Sequence, residues 1–496
     1  MEKFDLCVIG GGPSGYAAAM RALDFGKKVI LIEKEKIGGA GVHNGALSSK
    51  TWWEQSREHL LLRKKLEKYE TPVPNIEFSQ IKCEVDAAVS ERMKILEGHV
   101  HELGGESLKS SSFVHKLGTA KIISENEIKL TTQTGEEYIE TDYIIIATGS
   151  RPRKLPHIPI DEKVIITSDG ISNLDHFPES MVILGAGVIG CEFATIFSNF
   201  GKTKVNLIDK GNRILPFEDE DVVEIIEQNL IEKGATIHRD STLTRMEIKD
   251  GRVEYELEYS HGEKEVFHVE KALVSVGRVP NMEGLWSENL SIDHNERGIL
   301  DNDTQTNIPN IYAVGDVTAD IALVNIGELE GRYAVERIFS KPRKKLVYEN
   351  ISTIMFLDPE VAGVGLNEIQ ARNKGINYKV ASLGYSCISR AVAMRNTRGF
   401  MKILVTEHED DMKILGMRVI GEHASSAIQA VALLISMNKG IEELSELVHP
   451  HPSIIEGIQE CTRMLLGKSM LKPDMMNNHM VCKNCVDGVY VDLVLN

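Results

Sequence analysis

Basic charge, long apolar runs and closely spaced cysteines are what this 496-residue sequence has little of, and each shortage removes a class of protein. Lys and Arg number 56 against 73 Asp and Glu, a net charge of −17 that repels phosphate backbones and anionic lipid, so nucleic-acid binding is not expected. No window approaches the roughly 20 apolar residues of a bilayer span. Met1-Glu2-Lys3 runs at once into Phe4-Asp5-Leu6-Cys7-Val8-Ile9, leaving no room for a signal or transit peptide, and the expected location is the cytoplasm. Seven cysteines, at 7, 83, 191, 387, 461, 482 and 485, make no secreted disulfide framework, and only Cys482 and Cys485 are spaced as a working pair. What remains, 42% hydrophobic and 26% charged, is a globular chain long enough for several domains.

One pattern occurs twice. A buried strand (Leu6 to Ile9), a glycine turn, an alanine-rich helix (Tyr16 to Phe25) and a second strand (Val29 to Glu33) are followed far downstream by Met181 to Leu184, another glycine turn, Cys191 to Phe200 and Val205 to Asp209. The first turn is Gly10-x-Gly12-x-x-Gly15, with Glu33 coming 21 residues after Gly12. Glycine allows the tight turn and the close approach of backbone to a pyrophosphate, the helix N-terminus favours its charge, and the acid accepts from ribose hydroxyls. Gly185-x-Gly187-x-x-Gly190 repeats this, with Asp209 placed 22 residues after Gly187. An acid there repels a 2′-phosphate, so NAD(H) is expected rather than NADP(H), although Lys210 and Arg213 stand nearby. Charged helical stretches (Thr51 to Tyr69, Val85 to Leu103) and a β-rich segment separate the two folds. From about Tyr348 strands alternate with helices, including Ala424 to Met437, as in a separate α+β domain.

Ala147-Thr148-Gly149, Val276-Gly277-Arg278-Val279-Pro280-Asn281, Thr306 to Asp316 and His449-Pro450-His451-Pro452 stand with the two glycine turns in the order and spacing of one family. To about residue 468 the chain resembles the flavoprotein disulfide reductases, dihydrolipoamide dehydrogenase above all. The resemblance implies an α/β chain of two Rossmann-like dinucleotide-binding domains and a C-terminal α+β dimerisation domain. An FAD domain would occupy 1–152 and 277–347, an NAD domain 153–276, the interface domain 348–470 and a tail 471–496. FAD would lie on Gly10, Gly12, Gly15, Glu33, Gly39, Lys50, Ala120, Thr148, Gly149, Asp316 and Leu323, with Gly118-Thr119-Ala120 against the adenine and Asp316 on the ribityl chain. NAD(H) would lie on Gly185, Gly187, Ile189, Gly190, Glu192, Asp209 and Gly277. Lys50 and Glu192 resemble the ion pair beside flavin N5, and Ile189 the residue over the flavin that moves when nicotinamide binds. His451 with Glu456 matches the acid–base pair that the other subunit of a homodimer contributes to a shared active site; the alternative is a histidine kept for packing.

The family pattern breaks where it carries electrons. Its Gly-Gly-x-Cys-x-x-x-x-Cys-x-Pro-Ser-Lys segment reads here Gly38-Gly39-Ala40-Gly41-Val42-His43-Asn44-Gly45-Ala46-Leu47-Ser48-Ser49-Lys50, with Gly41 and Ala46 in place of the cysteines. Neither can form a disulfide, so lipoamide reduction through an inner disulfide is excluded. His43 and Asn44 either line the flavin's substrate side or fill space. Beyond the family's usual end comes Cys482-Lys483-Asn484-Cys485, which reads in three ways: a dithiol replacing the lost pair with His451 as its base, a partial metal site with His479 and a further ligand such as Asp474 or His423, or two incidental thiols. The expected activity is hydride transfer from NADH to FAD and on to a disulfide or thiol-type acceptor, small molecule or protein. A quinone-type (diaphorase) reductase and a transhydrogenase are the alternatives within the class, and a non-catalytic flavin-binding subunit or sensor is the alternative outside it.

Overall fold

The computed structural model describes residues 2–104, 112–341, 345–407, 412–472 and 479–492. The chain divides into two compact units, the first made of Met1–Pro178, Arg245–Tyr255 and Phe267–Leu346, the second of Glu179–Thr244, Glu256–Val266 and Val347–Asn496.

In the first unit, strand Lys3–Ile9 lies parallel to Val29–Glu33 on one side and to the second half of Gly135–Ile146 on the other, so that Leu6 faces Val29 and Tyr143. Phe113–Leu117 and Ile311–Ala313 extend the parallel sheet, and the first half of Gly135–Ile146 pairs antiparallel with Glu127–Thr132, which pairs antiparallel in turn with Thr119–Ser124. Cys7, Val8, Ile30, Leu31, Ile144 and Ile145 are wholly buried, as strands covered on both faces are. Helix Pro13–Asp24 starts on proline, whose missing N–H costs nothing at a first turn. It buries Ala18, Ala19 and Ala22 and meets helix Val324–Phe339 so closely that a Cβ on Gly331 would overlap the Ser14 carbonyl oxygen. Arg21 and Glu336 pair across that contact at 2.8 Å. The two charged stretches are longer helices than the sequence suggests, Ala46–Lys68 and Phe78–Gly104.

In the second unit, Ser180–Leu184, Lys204–Ile208 and Thr236–His238 form parallel neighbours. Helix Val188–Phe200 is buried at every position from Gly190 to Phe200, mostly apolar or small residues with Glu192 and Asn199 buried among them. A separate antiparallel sheet runs in the order Ser352–Met355, Val361–Gly365, Ile414–Ile420, Phe400–Thr406, Tyr378–Gly384, Met480–Val486, Val489–Asp492. Met401, Ile403, Met417, Ile458 and Met464 share the core on one of its faces, under helices that include Gln429–Ser436 and Glu456–Leu465. The apolar run Ala424 to Met437 is two helices, Ala424–Ala427 and Gln429–Ser436. Within the expected tail, residues 480–492 are a hairpin that adds two strands to the sheet. Among the described residues no helix is long and apolar enough to cross a membrane.

Candidate active site

The first glycine turn has the shape its sequence demands. Gly10 sits at φ +108°, where a Cβ would strike the Ala147 carbonyl, and a Cβ on Gly15 would overlap the Gly10 carbonyl oxygen. Nothing lies within 4 Å of a Cβ built on Gly12, the N-cap of a helix whose first amides receive no side-chain cap. That open, amide-lined cradle fits a pyrophosphate. Glu33 is held at its mouth, Oε2 accepting from the Gly11 amide at 2.6 Å and Oε1 from the Glu35 amide at 2.8 Å. Gly39, at φ +46°, brings the following loop against the turn, a Cβ there lying 3.1 Å from Gly12 Cα. The Gly118 amide donates to the Glu33 carbonyl at 2.8 Å, so the segment expected against the adenine starts beside the ribose-binding acid. The Ala120 methyl points into the apolar core, leaving that residue's backbone for any contact.

Thr148 and Asn281 are cross-linked: Thr148 Oγ1 donates to the Asn281 carbonyl at 2.7 Å and Asn281 Nδ2 to the Thr148 carbonyl at 2.9 Å. The Asn281 amide donates to the Gly149 carbonyl at 2.9 Å. Asp316 Oδ2 accepts from Ser150 Oγ at 2.8 Å, and Ser150 is itself fixed by Arg278, whose Nε donates to Oγ at 2.8 Å and Nη2 to the carbonyl at 2.7 Å. The buried Glu330 accepts from the Gly315 amide at 2.7 Å beside it. Sequence reasoning missed Ser150, Arg278 and Glu330 as supports of this acid; only their closeness to glycine turns or to a helix facing one could have signalled them. Leu323 caps the N-terminus of the Val324–Phe339 helix, and Lys50, on the Ala46–Lys68 helix, donates to Ser49 Oγ at 3.3 Å. Gly277 belongs to this unit at φ +99° and accepts from the Arg153 amide at 2.9 Å.

The second turn repeats the first. Gly185 has φ +100°, and the space around a Cβ on Gly187, again an N-cap without a side-chain cap, is empty to 4 Å. Asp209 Oδ2 accepts from the Ala186 amide at 3.0 Å and Oδ1 from the Gly211 amide at 2.8 Å, the arrangement of Glu33 with Gly11 and Glu35. The donor set therefore fits a second dinucleotide. Gly190 is buried in the first turn of the helix with Ile189 half-buried beside it, and buried Glu192 accepts from the Phe356 amide at 3.0 Å.

The loop is shaped against a cysteine at its first expected position: a Cβ on Gly41 would lie 2.5 Å from Pro13 Cγ. The second position holds Ala46, just after Gly45, where a Cβ would overlap the Ala40 carbonyl oxygen. His43 donates from Nε2 to the Ile37 carbonyl at 2.9 Å, which ties down the loop. In the second unit His451 Nδ1 donates to Glu456 Oε1 at 2.8 Å, and Glu456 Oε2 accepts from the Ser453 amide at 2.7 Å. Partial burial pushes the Glu456 carboxyl up, but the Ser453 amide and His451 together outweigh it and hold the group below the ordinary glutamate range. This fixes the imidazole tautomer and leaves Nε2 facing outward, the side chain 70% exposed.

The structure corrects the reading of Cys482 and Cys485 as a visiting dithiol. Both are buried in strand Met480–Val486; Cys482, opposite Ala381, packs into the core under the helices, and Cys485, opposite Tyr378, into a cluster on the other face. Residues three apart in a strand point to opposite faces with Cα atoms about 10 Å apart, beyond the roughly 7 Å a disulfide spans. Burial also pushes the Cys482 thiol up to about 12, so it holds little thiolate. The same geometry separates them as metal ligands: His479 donates or accepts at Ser386 Oγ, 3.0 Å away, and no metal-holding group of three occurs among the described residues. Asp474 lies outside the described residues.

Two family models match the chain, pyridine nucleotide-disulphide oxidoreductase over residues 4–332 and the dimerisation domain of the same family over 351–462. Dihydrolipoyl dehydrogenase of Bacillus subtilis is 33% identical over 485 residues, 94% of this chain and 99% of the relative, and that of Geobacillus stearothermophilus 32% identical over 468 residues, 93% and 96%. Among solved structures, LpdA from Mycobacterium tuberculosis superposes with a TM-score of 0.83 at 24% identity, covering 94% of this chain and all of that one, a likeness of fold. The Cu(II) complex of RclA, an HOCl-induced flavoprotein disulfide reductase from Escherichia coli, has a TM-score of 0.82 at 25% identity over the same shares. With two dinucleotide cradles and a dimerisation domain matched in sequence and fold, the chain belongs to the pyridine nucleotide-disulphide oxidoreductase family, a homodimeric oxidoreductase that uses FAD and NAD(H).

Proposed function

We propose that this enzyme takes a hydride from NADH and delivers two electrons and two protons, the second proton drawn from His451, directly to a quinone-type acceptor, with no protein disulfide between flavin and acceptor. The observation that carries this reading is the loop at Gly41, which lacks the cysteines and has no room for a side chain beside Pro13, together with the intact His451–Glu456 pair. When bound, NADH supplies the hydride and FAD relays two electrons. The residues do the rest. The amides behind Gly12 and Gly187 hold the two pyrophosphates, and Glu33 and Asp209, each fixed by two backbone amides, take the ribose hydroxyls and turn away a 2′-phosphate at the second cradle. Lys50 and Asp316 serve the flavin cradle, Asp316 taking the ribityl chain, and Glu192 and Ile189 serve the nicotinamide cradle. His451 gives the acceptor a proton from Nε2, from the partner subunit in a shared site, passing from imidazolium to neutral imidazole while Glu456 holds Nδ1–H, and solvent then restores the proton. The balance is NADH, H⁺ and quinone giving NAD⁺ and hydroquinone. The enzyme works in the cytoplasm on this reading, in keeping with seven unpaired thiols.

Anaerobic titration with NADH, recording flavin absorbance and titratable thiols together, tests it. The expected result is full bleaching with no new thiols, followed by reoxidation with a soluble naphthoquinone and none with lipoamide. Two new thiols per subunit would overturn it, since they would put a protein disulfide in the electron path. No bleaching would make the chain a non-catalytic flavin-binding subunit.

A further inference from the structure

Helix Val188–Phe200 is gripped at two points by one short segment of the second unit. Glu192 and Asn199 are seven residues apart, two helical turns, and so lie on one face. At the first point the Phe356 amide donates to Glu192 Oε1 at 3.0 Å. At the second, Lys233 Nζ donates to Asn199 Oδ1 at 2.7 Å and pairs with the Asp358 carboxylate. Asn199 is 0% exposed, Glu192 5% and the Lys233 side chain 9%, so these bonds lie in a low-dielectric interior where breaking one leaves a costly unpaired group. Lys233 caps the C-terminus of helix Glu220–Glu232, and Arg398 holds the last residue of that helix through a two-pronged contact to Glu232 at 2.7 and 2.8 Å. A roll or slide of Val188–Phe200 would break both grips together.

We propose that Lys233 and Asp358 are positioning residues for the hydride step: through Asn199 at one end and the segment carrying the Phe356 amide at the other, they fix the roll and depth of the helix whose N-terminus and Glu192 hold nicotinamide at reacting distance. This rests on the reading that the helix binds NAD(H), made in the proposed function. Neither residue touches the dinucleotide cradle, so binding affinity is expected to survive while the rate falls. Stopped-flow reduction of the bound flavin over a range of NADH concentrations, under anaerobic conditions, is the test for wild type, K233M, K233R and D358N. The expected result is a limiting rate lower by about tenfold or more in K233M and D358N, the order of effect that misplacement of reacting groups produces, with an NADH dissociation constant changed by less than about threefold and most of the rate restored in K233R. Limiting rates within about twofold of wild type, whatever happens to the melting temperature, would overturn the proposal. Wild type that fails to bleach at all would strike the dinucleotide reading instead. D358N keeps the shape of a side chain already 27% exposed, so it decides the matter if K233M does not fold.

Discussion

On the proposed function Glu456 acts through His451, and its own surroundings make that separable from folding. The carboxylate accepts from the Ser453 amide and from His451 Nδ1, and its pKa is held below the ordinary glutamate value. A group depressed in the folded state contributes stability that is present above its unfolded pKa, about 4.3, and lost as pH falls through the lower folded value. E456Q is therefore expected to be less stable than wild type above about pH 5 and to converge with it near pH 3, which thermal melts across that range would reveal. Its catalytic effect should fall on one half-reaction. Reoxidation of reduced flavin by a naphthoquinone should slow by about tenfold or more, within the range of positioned proton transfer, whereas bleaching by NADH should keep its wild-type rate. Equal losses in both half-reactions would mean that Glu456 supports the domain and not the proton.

The hairpin Met480–Val486 and Val489–Asp492 shows what an element adds that a motif cannot announce. Read as spacing, Cys-x-x-Cys is a dithiol; read as alternate positions of a strand, it is one thiol on each face. The second reading needs to know that Tyr378–Gly384 has a free edge, and that fact comes from strand pairing between segments a hundred residues apart. The hairpin also reaches a charged cluster: Tyr490 donates to Glu368 at 2.6 Å, and Glu368 pairs at 2.7 Å with Lys402, which is 2% exposed and also meets Asp219 and Asp221 at 2.8 and 2.9 Å. C482A/C485A is expected to leave NADH bleaching and quinone turnover within about twofold of wild type while costing on the order of 1 kcal/mol each in stability from lost core contacts, seen as an earlier denaturant midpoint. Loss of turnover in a fully folded double variant would revive the relay. The glycine turns, Glu33 and Asp209 were legible because local sequence dictates them: a turn between strand and helix permits few residues, and the acid must end the next strand. The Ser150–Arg278 support of Asp316 was not legible, because its two partners stand 128 residues apart and a serine after a glycine has many ordinary uses.

At the scale of the whole molecule, the histidine that should finish the reaction is left open by the described residues of its own subunit. His451 is oriented and its tautomer set, yet its side chain is 70% exposed, and Val448 (91%) and Leu433 (60%) are also uncovered in this unit. A proton donor in bulk water gains little from being oriented, since solvent competes for the same transfer, so an ordered but open imidazole makes sense only where a second surface closes over it. On the proposed function the partner subunit of the homodimer would supply that surface, each subunit's His451 serving the other's flavin. Mixing two inactive variants separates that arrangement from two independent sites. H451Q lacks the donor and K50M the lysine expected beside the flavin, and each alone is expected to be nearly inactive with a naphthoquinone. After unfolding and refolding as a one-to-one mixture, or on co-expression with two different tags, a shared site places the intact His451 of K50M over the intact flavin face of H451Q. Random pairing makes about half the dimers mixed, each with one working site, so about a quarter of wild-type activity should return. Purified mixed dimers no more active than either parent would show that each subunit works alone, and would leave the exposed His451 as a packing residue.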